Sequence, residues 1–274
     1  MDDVLGYRGS RVVVTGAASG MGAATAALLA ELGAEVTGMD RVAINAPVDR
    51  AVTVDLLDAD AIATAAELVE GPVDAFFNCA GLPGPPFSDL DTMLVNFVGG
   101  RELIERVVPK MPAGAAVVYV ASAAGIGWQS NLEPFMELFA TDGFEAGRAW
   151  LEANPDLWTG NGYASSKQAI NAWTAWRSVS LMRDAGIRLN CLNPGPTSTA
   201  MMPFFHDAVG RELVDMAMGP VGRYSTAEEQ AWAMALIASP RASYVVGESL
   251  YADGGFYGAL QTGQIDFSAL MPKE

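Results

Sequence analysis

Short apolar runs alternate with stretches of helical spacing along most of the chain. Residues 11–15 (RVVVT) form a β-branched run that reads as a strand. Residues 22–32 have helical composition, and Gly33 stops them. Further strands are predicted at 35–39, 51–54, 73–78, 115–121, 188–192 and 249–252, and further helices at 59–69, 92–108, 163–184 and 227–238. Strands that alternate with helices imply a parallel sheet with crossover connections. The expected class is α/β: one doubly wound parallel sheet of about seven strands, as a single domain over residues 1–274.

Two segments break the rhythm. Residues 128–160 form a helical insertion after the fifth strand, with helical patches at 134–139 and 146–153; residues 196–223 follow the sixth strand. Both leave C-terminal strand ends, where ligands bind in such sheets. In the first, Trp128, Phe135, Met136, Phe139, Trp150 and Trp158 either line an apolar pocket over the cleft or pack the insertion onto the body or another subunit. In the second, Met201, Met202, Phe204 and Phe205 read as a lid over substrate, and His206 as a loop residue. Core-seeking side chains would give the same pattern.

Charge and composition remove several function classes. The formal net charge is -16, from 16 basic and 32 acidic residues, which argues against nucleic acid and against an anionic membrane surface. No apolar run is long enough to span a bilayer. Residues 1–4 lack a basic segment leading into an apolar one, and only two cysteines occur, Cys79 and Cys191, so a cytoplasmic, reduced location is expected. The single histidine, His206, leaves no basis for a Ser-His-Asp triad or a His/Cys zinc site, and no metal is expected.

Candidate chemistry sits at the two ends of an expected dinucleotide. Gly16, Ser19, Gly20, Met21 and Gly22 lie in a glycine-rich turn between strand and helix, where backbone amides and the helix dipole meet a pyrophosphate. This is the Rossmann-like arrangement. Asp40 closes the second strand 18 residues beyond Gly22, suited to ribose hydroxyls and repulsive to a 2′-phosphate, which favours NAD over NADP. Arg41 follows and could meet a phosphate; Asp55 and Leu56, after the third strand, are placed for the adenine. At the other end, Tyr163 and Lys167 stand four apart on one helix face. A cation near a phenol lowers its pKa from about 10, so that Tyr163 can exchange a proton with an alcohol or ketone oxygen. Ser122, just past the fifth strand, is a candidate hydrogen-bond partner for that oxygen.

Together these motifs resemble the short-chain dehydrogenase/reductase family over essentially the whole chain. The family's T-G-x-x-x-G-x-G is matched at 15–22, its N-x-A-G at Asn78, Cys79, Ala80 and Gly81, its helix asparagine at Asn96, its serine at Ser122, its Y-x-x-x-K at Tyr163 and Lys167, and its P-G at Pro194 and Gly195. The resemblance implies that Asn96, Ser122, Tyr163 and Lys167 are catalytic, with Asn96 holding a relay water beside Lys167. It implies cofactor contacts from Asn78, Ala80, Gly81, Tyr163, Lys167, Pro194, Gly195 and Thr197. Within the family the chain is similar to the 3α-hydroxysteroid dehydrogenase/carbonyl reductase and coniferyl alcohol dehydrogenase branch, through the short link from Asp40 to Asp55, the insertion before Tyr163, and residues 242–245 leading into Asp253, Gly254 and Gly255. One departure is the separation of 41 positions between Ser122 and Tyr163, which the insertion accounts for. The expected activity is NAD-dependent interconversion of an apolar or aromatic alcohol, steroid-like alcohols among the candidates, with its carbonyl, in a homo-oligomer (dimer or tetramer). The alternatives are an NAD-binding sensor without turnover, or another reaction such as epimerisation on the same scaffold.

Overall fold

In the computed structural model, residues 3–265 are described. The expected domain of 1–274 and the reading of residues 1–4 therefore extend into positions 1–2 and 266–274, which lie outside the described residues. Seven parallel strands form one sheet in the order β3-β2-β1-β4-β5-β6-β7. They are β1 (Arg11–Thr15), β2 (Glu35–Asp40), β3 (Arg50–Thr53), β4 (Ala75–Asn78), β5 (Ala116–Val120), β6 (Arg188–Pro194) and β7 (Ser249–Ala252). Parallel strands covered on both faces read as continuous apolar runs, and β4 (AFFN) and β5 (AVVYV) are buried at every position.

The helices are α1 (Gly20–Glu31), α2 (Ala59–Leu68), α3 (Asp89–Met93), α4 (Gly100–Val107), α5 (Leu132–Phe139), α6 (Gly143–Ala153), α7 (Gly162–Ala185), α8 (Met202–Val209), α9 (Arg211–Met216), α10 (Ala227–Ala238) and α11 (Phe256–Gln261). Their ends follow local chemistry. Asp58 caps α2 by accepting from the Asp60 and Ala61 amides. Thr226 and Glu229 form a reciprocal capping box at the start of α10. Gly186, at φ 67°, ends α7 in the left-handed conformation that glycine adopts without strain. One core unites α2, α4, α5 and α7 with one sheet face; the other unites α1 and α10 with the opposite face.

Three expectations change. The predicted helix at 92–108 starts earlier, at Asp89, and is interrupted by a π-helical stretch, Leu94–Gly99, between α3 and α4. His206 lies within α8, not in a loop. A helix not predicted from the sequence, α11, follows β7. The insertion folds as α5 and α6, and its open question is answered by burial. Phe135, Phe139 and Trp158 are buried in the core that includes Phe97 and Trp173. Trp128, Met136 and Trp150 pack against the same core. Arg101 on α4 is buried and donates to the carbonyls of Leu138 and Gly143 (2.7 and 3.2 Å) and to the Thr141 hydroxyl (3.0 Å). Asp89 accepts from the Gly160 and Gly162 amides, so the insertion is fastened where it rejoins α7.

Candidate active site

The strand order reverses between β1 and β4, and the loops that leave these strands meet at the crevice this creates. Thr15 fastens them: its hydroxyl donates to Asn78 Oδ1 (2.6 Å) and accepts from the Cys79 and Ala80 amides (3.1 Å each). Gly16, at φ 68°, lies so close that a Cβ there would sit 2.9 Å from the Ala80 nitrogen. Gly22 packs against the Gly16 carbonyl, leaving no room for a side chain. These glycines thus bring the start of α1 against the end of β4.

The N-terminus of α1 suits an anion. Ser19 is its N-cap, makes no side-chain capping bond, and is followed by no acidic residue in the first turn. The amides of Gly20, Met21 and Gly22 therefore face no competing side-chain acceptor from the cap, as a pyrophosphate requires. Asp40, at the end of β2, accepts from the Ala18 amide (3.0 Å) with one carboxylate oxygen and the Val42 amide (3.2 Å) with the other. This ties the acidic strand end to the glycine loop. Arg41 and Asp55 are exposed, Asp55 accepting from the Leu57 amide (2.9 Å), whereas Leu56 is buried. Asn78 is fully buried, with its side-chain oxygen committed to Thr15.

The chemical end gathers on β5, α7 and the π-helical stretch. Ser122 follows β5, accepts from the Ala124 amide (3.1 Å) and stands near enough to the Tyr163 phenol to pull its pKa down. Lys167 is buried, donates to the Val120 carbonyl (3.0 Å), and holds its ammonium 5.5 Å from the centre of the Tyr163 ring. Burial pushes the Tyr163 phenol up to about 12 against the pull of Ser122, and burial pushes Lys167 down to about 8. The expected lowering of Tyr163 is thus not met here: desolvation raises it, and the opposing pull comes from Ser122. At neutral pH the pair is a phenol beside an ammonium.

Asn96 projects from the π-helical stretch. Its Oδ1 accepts from the Leu82 amide (2.6 Å); its Nδ2 donates to the Leu82 carbonyl and to Ser166 Oγ (3.0 Å each). Ser166 in turn donates to the Tyr163 carbonyl (2.6 Å). Gly81 lies between Asn96 and Lys167: a Cβ there would fall 3.1 Å from Asn96 Oδ1 and 3.7 Å from Lys167 Nζ. Sequence reasoning missed Ser166, the Leu82 backbone and Asn171. Asn171, one turn beyond Lys167, donates to the Lys167 carbonyl (3.0 Å) and exchanges hydrogen bonds with Asn193 on β6 (2.9 and 3.0 Å). The available signal is the spacing of i+4 from Lys167, which puts Asn171 on the same helix face.

Across β6, Thr197 is buried; its hydroxyl donates to the Gly195 carbonyl (3.0 Å) and is hydrogen-bonded to Ser225 (2.9 Å). Pro194 ends the strand. A cavity of about 210 Å³ lies here, lined by Gly195, Pro196, Ser225, Gln230, Ala252 and Asp253 among others. Its lining includes none of Ser122, Tyr163 and Lys167, so the hydroxyl chemistry is elsewhere. Phe205 on α8 packs against the Tyr163 ring, with centroids 5.0 Å apart. Among the described residues, no cluster of three or more His, Cys, Asp or Glu could hold a metal ion, and no helix is long and apolar enough to cross a membrane.

Known proteins resemble this chain in sequence and fold. Residues 10–132 match the model of short chain dehydrogenases, and residues 151–257 match one described as Enoyl-(Acyl carrier protein) reductase. A coniferyl-alcohol dehydrogenase from a Pseudomonas species is 31% identical, over 89% of this chain and 95% of its own length. The chain belongs to the short-chain dehydrogenase/reductase family. A 3-alpha-hydroxysteroid dehydrogenase/carbonyl reductase from Comamonas testosteroni is 32% identical, over 90% of this chain and 96% of that protein. The crystal structure of the 3-alpha-hydroxysteroid dehydrogenase from Pseudomonas sp. B-0831 complexed with NADH superposes with a TM-score of 0.78 at 29% identity, covering 94% of this chain and all (100%) of that one. BdcA in complex with NADPH shares the fold, with a TM-score of 0.68 at 22% identity, over 91% of this chain and 95% of that chain. As a short-chain dehydrogenase/reductase the chain is an oxidoreductase that uses a nicotinamide cofactor, and the resemblance stated from its motifs holds.

Proposed function

We propose that this short-chain dehydrogenase/reductase is NAD(H)-dependent and interconverts an apolar secondary alcohol, or an aromatic primary alcohol, with its carbonyl. The observation that carries the reading is the meeting of Ser122, Tyr163 and Lys167 at the C-terminal edge of the sheet. The nicotinamide, when bound, takes or supplies the hydride. Ser122 holds the substrate oxygen. Tyr163, kept protonated by burial, gives its proton to that oxygen in reduction and takes it back in oxidation. The Lys167 ammonium stabilises the phenolate as it forms, and Asn96 holds the proton path beside Lys167. Gly16, Ser19, Gly20, Met21 and Gly22 bind the pyrophosphate; Asp40, Arg41, Asp55 and Leu56 surround the adenosine; Asn78, Ala80 and Gly81 support its course; Pro194, Gly195 and Thr197 face the nicotinamide.

The preference for NAD over NADP is supported by the Asp40 carboxylate, fixed beside the glycine loop where a 2′-phosphate would be repelled. The ring-bearing substrate class is supported by Phe205 against Tyr163 and by the names of the two relatives above. A homo-oligomer, a tetramer in the fullest form, is supported by Trp176, Val179 and Met182, exposed on α7, and Trp232 and Leu236, exposed on α10. Two free thiols, Cys79 and Cys191, suit a cytoplasmic location. The test is a panel of steroid, benzylic and alicyclic alcohols with NAD and with NADP, read at the NADH absorbance. Turnover with NAD on ring-bearing alcohols is expected. Preference for NADP, or turnover confined to small polar alcohols, would overturn the finer reading, and NAD binding with no turnover would favour a sensor.

A further inference from the structure

Leu94–Gly99 is the only π-helical stretch among the described residues, and it carries Asn96. Wide turns of this kind disturb the regular helical ladder and depend on groups outside the helix to hold them. Tyr119, on β5 and fully buried, supplies such a group. Its hydroxyl donates to the Asn96 carbonyl (2.6 Å) and lies 3.2 Å from the Phe97 carbonyl. The Gly100 amide, at the end of the stretch, donates to the Phe97 carbonyl. Trp173 meets the Tyr119 ring edge-on at 6.2 Å and the Phe97 ring at 6.3 Å, so the phenol has a fixed direction. Gly100 is part of the same fit, because a Cβ there would collide with the Tyr119 hydroxyl. The bond matters for what lies on the other side of Asn96: the side-chain bonds to Leu82 and Ser166, next to Gly81 and Lys167.

We propose that Tyr119 is a positioning residue, its hydroxyl fixing the register of the π-helical turn so that Asn96 reaches Leu82 and Ser166 beside Lys167. The catalytic consequence rests on the proposed part of Asn96 in proton handling; the positional consequence does not. The test uses the full chain with Tyr119→Phe, which removes the hydroxyl and keeps the ring. Amide exchange at Leu82, whose N–H is accepted by Asn96, is expected to accelerate about tenfold, with the Val118 amide of β5 unchanged. With an alcohol that the wild type oxidises, kcat is expected to fall about tenfold and its pH profile to shift, while KM for NAD stays within about twofold. The double variant Tyr119→Phe/Asn96→Ala should be no slower than Asn96→Ala. If Tyr119→Phe does not fold, Trp173→Phe, which keeps the hydroxyl but removes the edge-on ring that aims it, is expected to give the same pattern in weaker form. Unchanged exchange at Leu82 overturns the proposal, and so does accelerated exchange with wild-type kcat and pH profile. Accelerated exchange in a protein whose wild type oxidises no alcohol overturns the proposed alcohol dehydrogenase reading instead and leaves the positioning of Asn96 supported.

Discussion

The two segments that interrupt the strand-helix rhythm look alike in sequence and behave differently in the fold. Residues 128–160 and 196–223 both follow C-terminal strand ends, and both are rich in aromatic and methionine side chains. The first is built into the body. Phe135, Leu138, Phe139, Phe144 and Leu151 join the main core, and Phe139 packs against Phe97 and Trp176 with ring centroids 5.6 and 5.7 Å away. The second is anchored more thinly: Met202 and Val214 are the buried positions of α8 and α9, and Phe204 is 40% exposed. It is closed by a short polar chain, His206 to Tyr224 (2.9 Å) and Tyr224 to Asp215. Phe205 is directed instead at Tyr163. What separates the two is an anchor on the body. Arg101 offers the first segment a buried guanidinium that donates to the Leu138 and Gly143 carbonyls and the Thr141 hydroxyl, and among the described residues no comparable side-chain bond ties α8 to the sheet. An aromatic-rich segment held by buried polar bonds serves the scaffold; one held at its edges is free to serve substrate.

Substitutions sharpen this contrast, and the largest effect belongs to the insertion. Phe135→Ala is expected to destabilise by about 3–5 kcal/mol, measured by denaturant unfolding, because it empties a fully buried ring site. Arg101→Met should follow at about 2–3 kcal/mol, since it removes the three bonds that the buried guanidinium makes to Leu138, Thr141 and Gly143. Phe205→Ala should cost less than about 1 kcal/mol in the same measurement, yet raise KM for a ring-bearing alcohol several-fold, with NAD affinity unchanged. A large loss of stability in Phe205→Ala, or none in Phe135→Ala, would erase the distinction.

Much of the fold and of the site is legible in the sequence because the deciding relations are local. Tyr163 and Lys167 share a face through helical spacing, and the strands buried on both faces announce themselves as β-branched runs. The glycines of 16–22 are readable from a strand before them and a helix after. What was not legible depends on partners distant in sequence. The π-helical turn in 92–108 has no marker of its own; it meets Tyr119, on a strand formed more than a helix later. The fate of Phe135 and of Phe205 turns on where Arg101 and Tyr163 stand, which composition does not encode. Likewise, the upward push on Tyr163 comes from burial contributed by the whole site, so spacing to Lys167 alone predicts the opposite direction.

The central claim is that Tyr163 carries the proton while the dinucleotide is held elsewhere. Its most direct test compares wild type with Tyr163→Phe for NADH formation from an alcohol accepted in the panel, alongside NAD binding by titration calorimetry. The account predicts that turnover falls by about 10²–10⁴-fold while the Kd for NAD changes by less than about threefold. Turnover within a few-fold of wild type would contradict it.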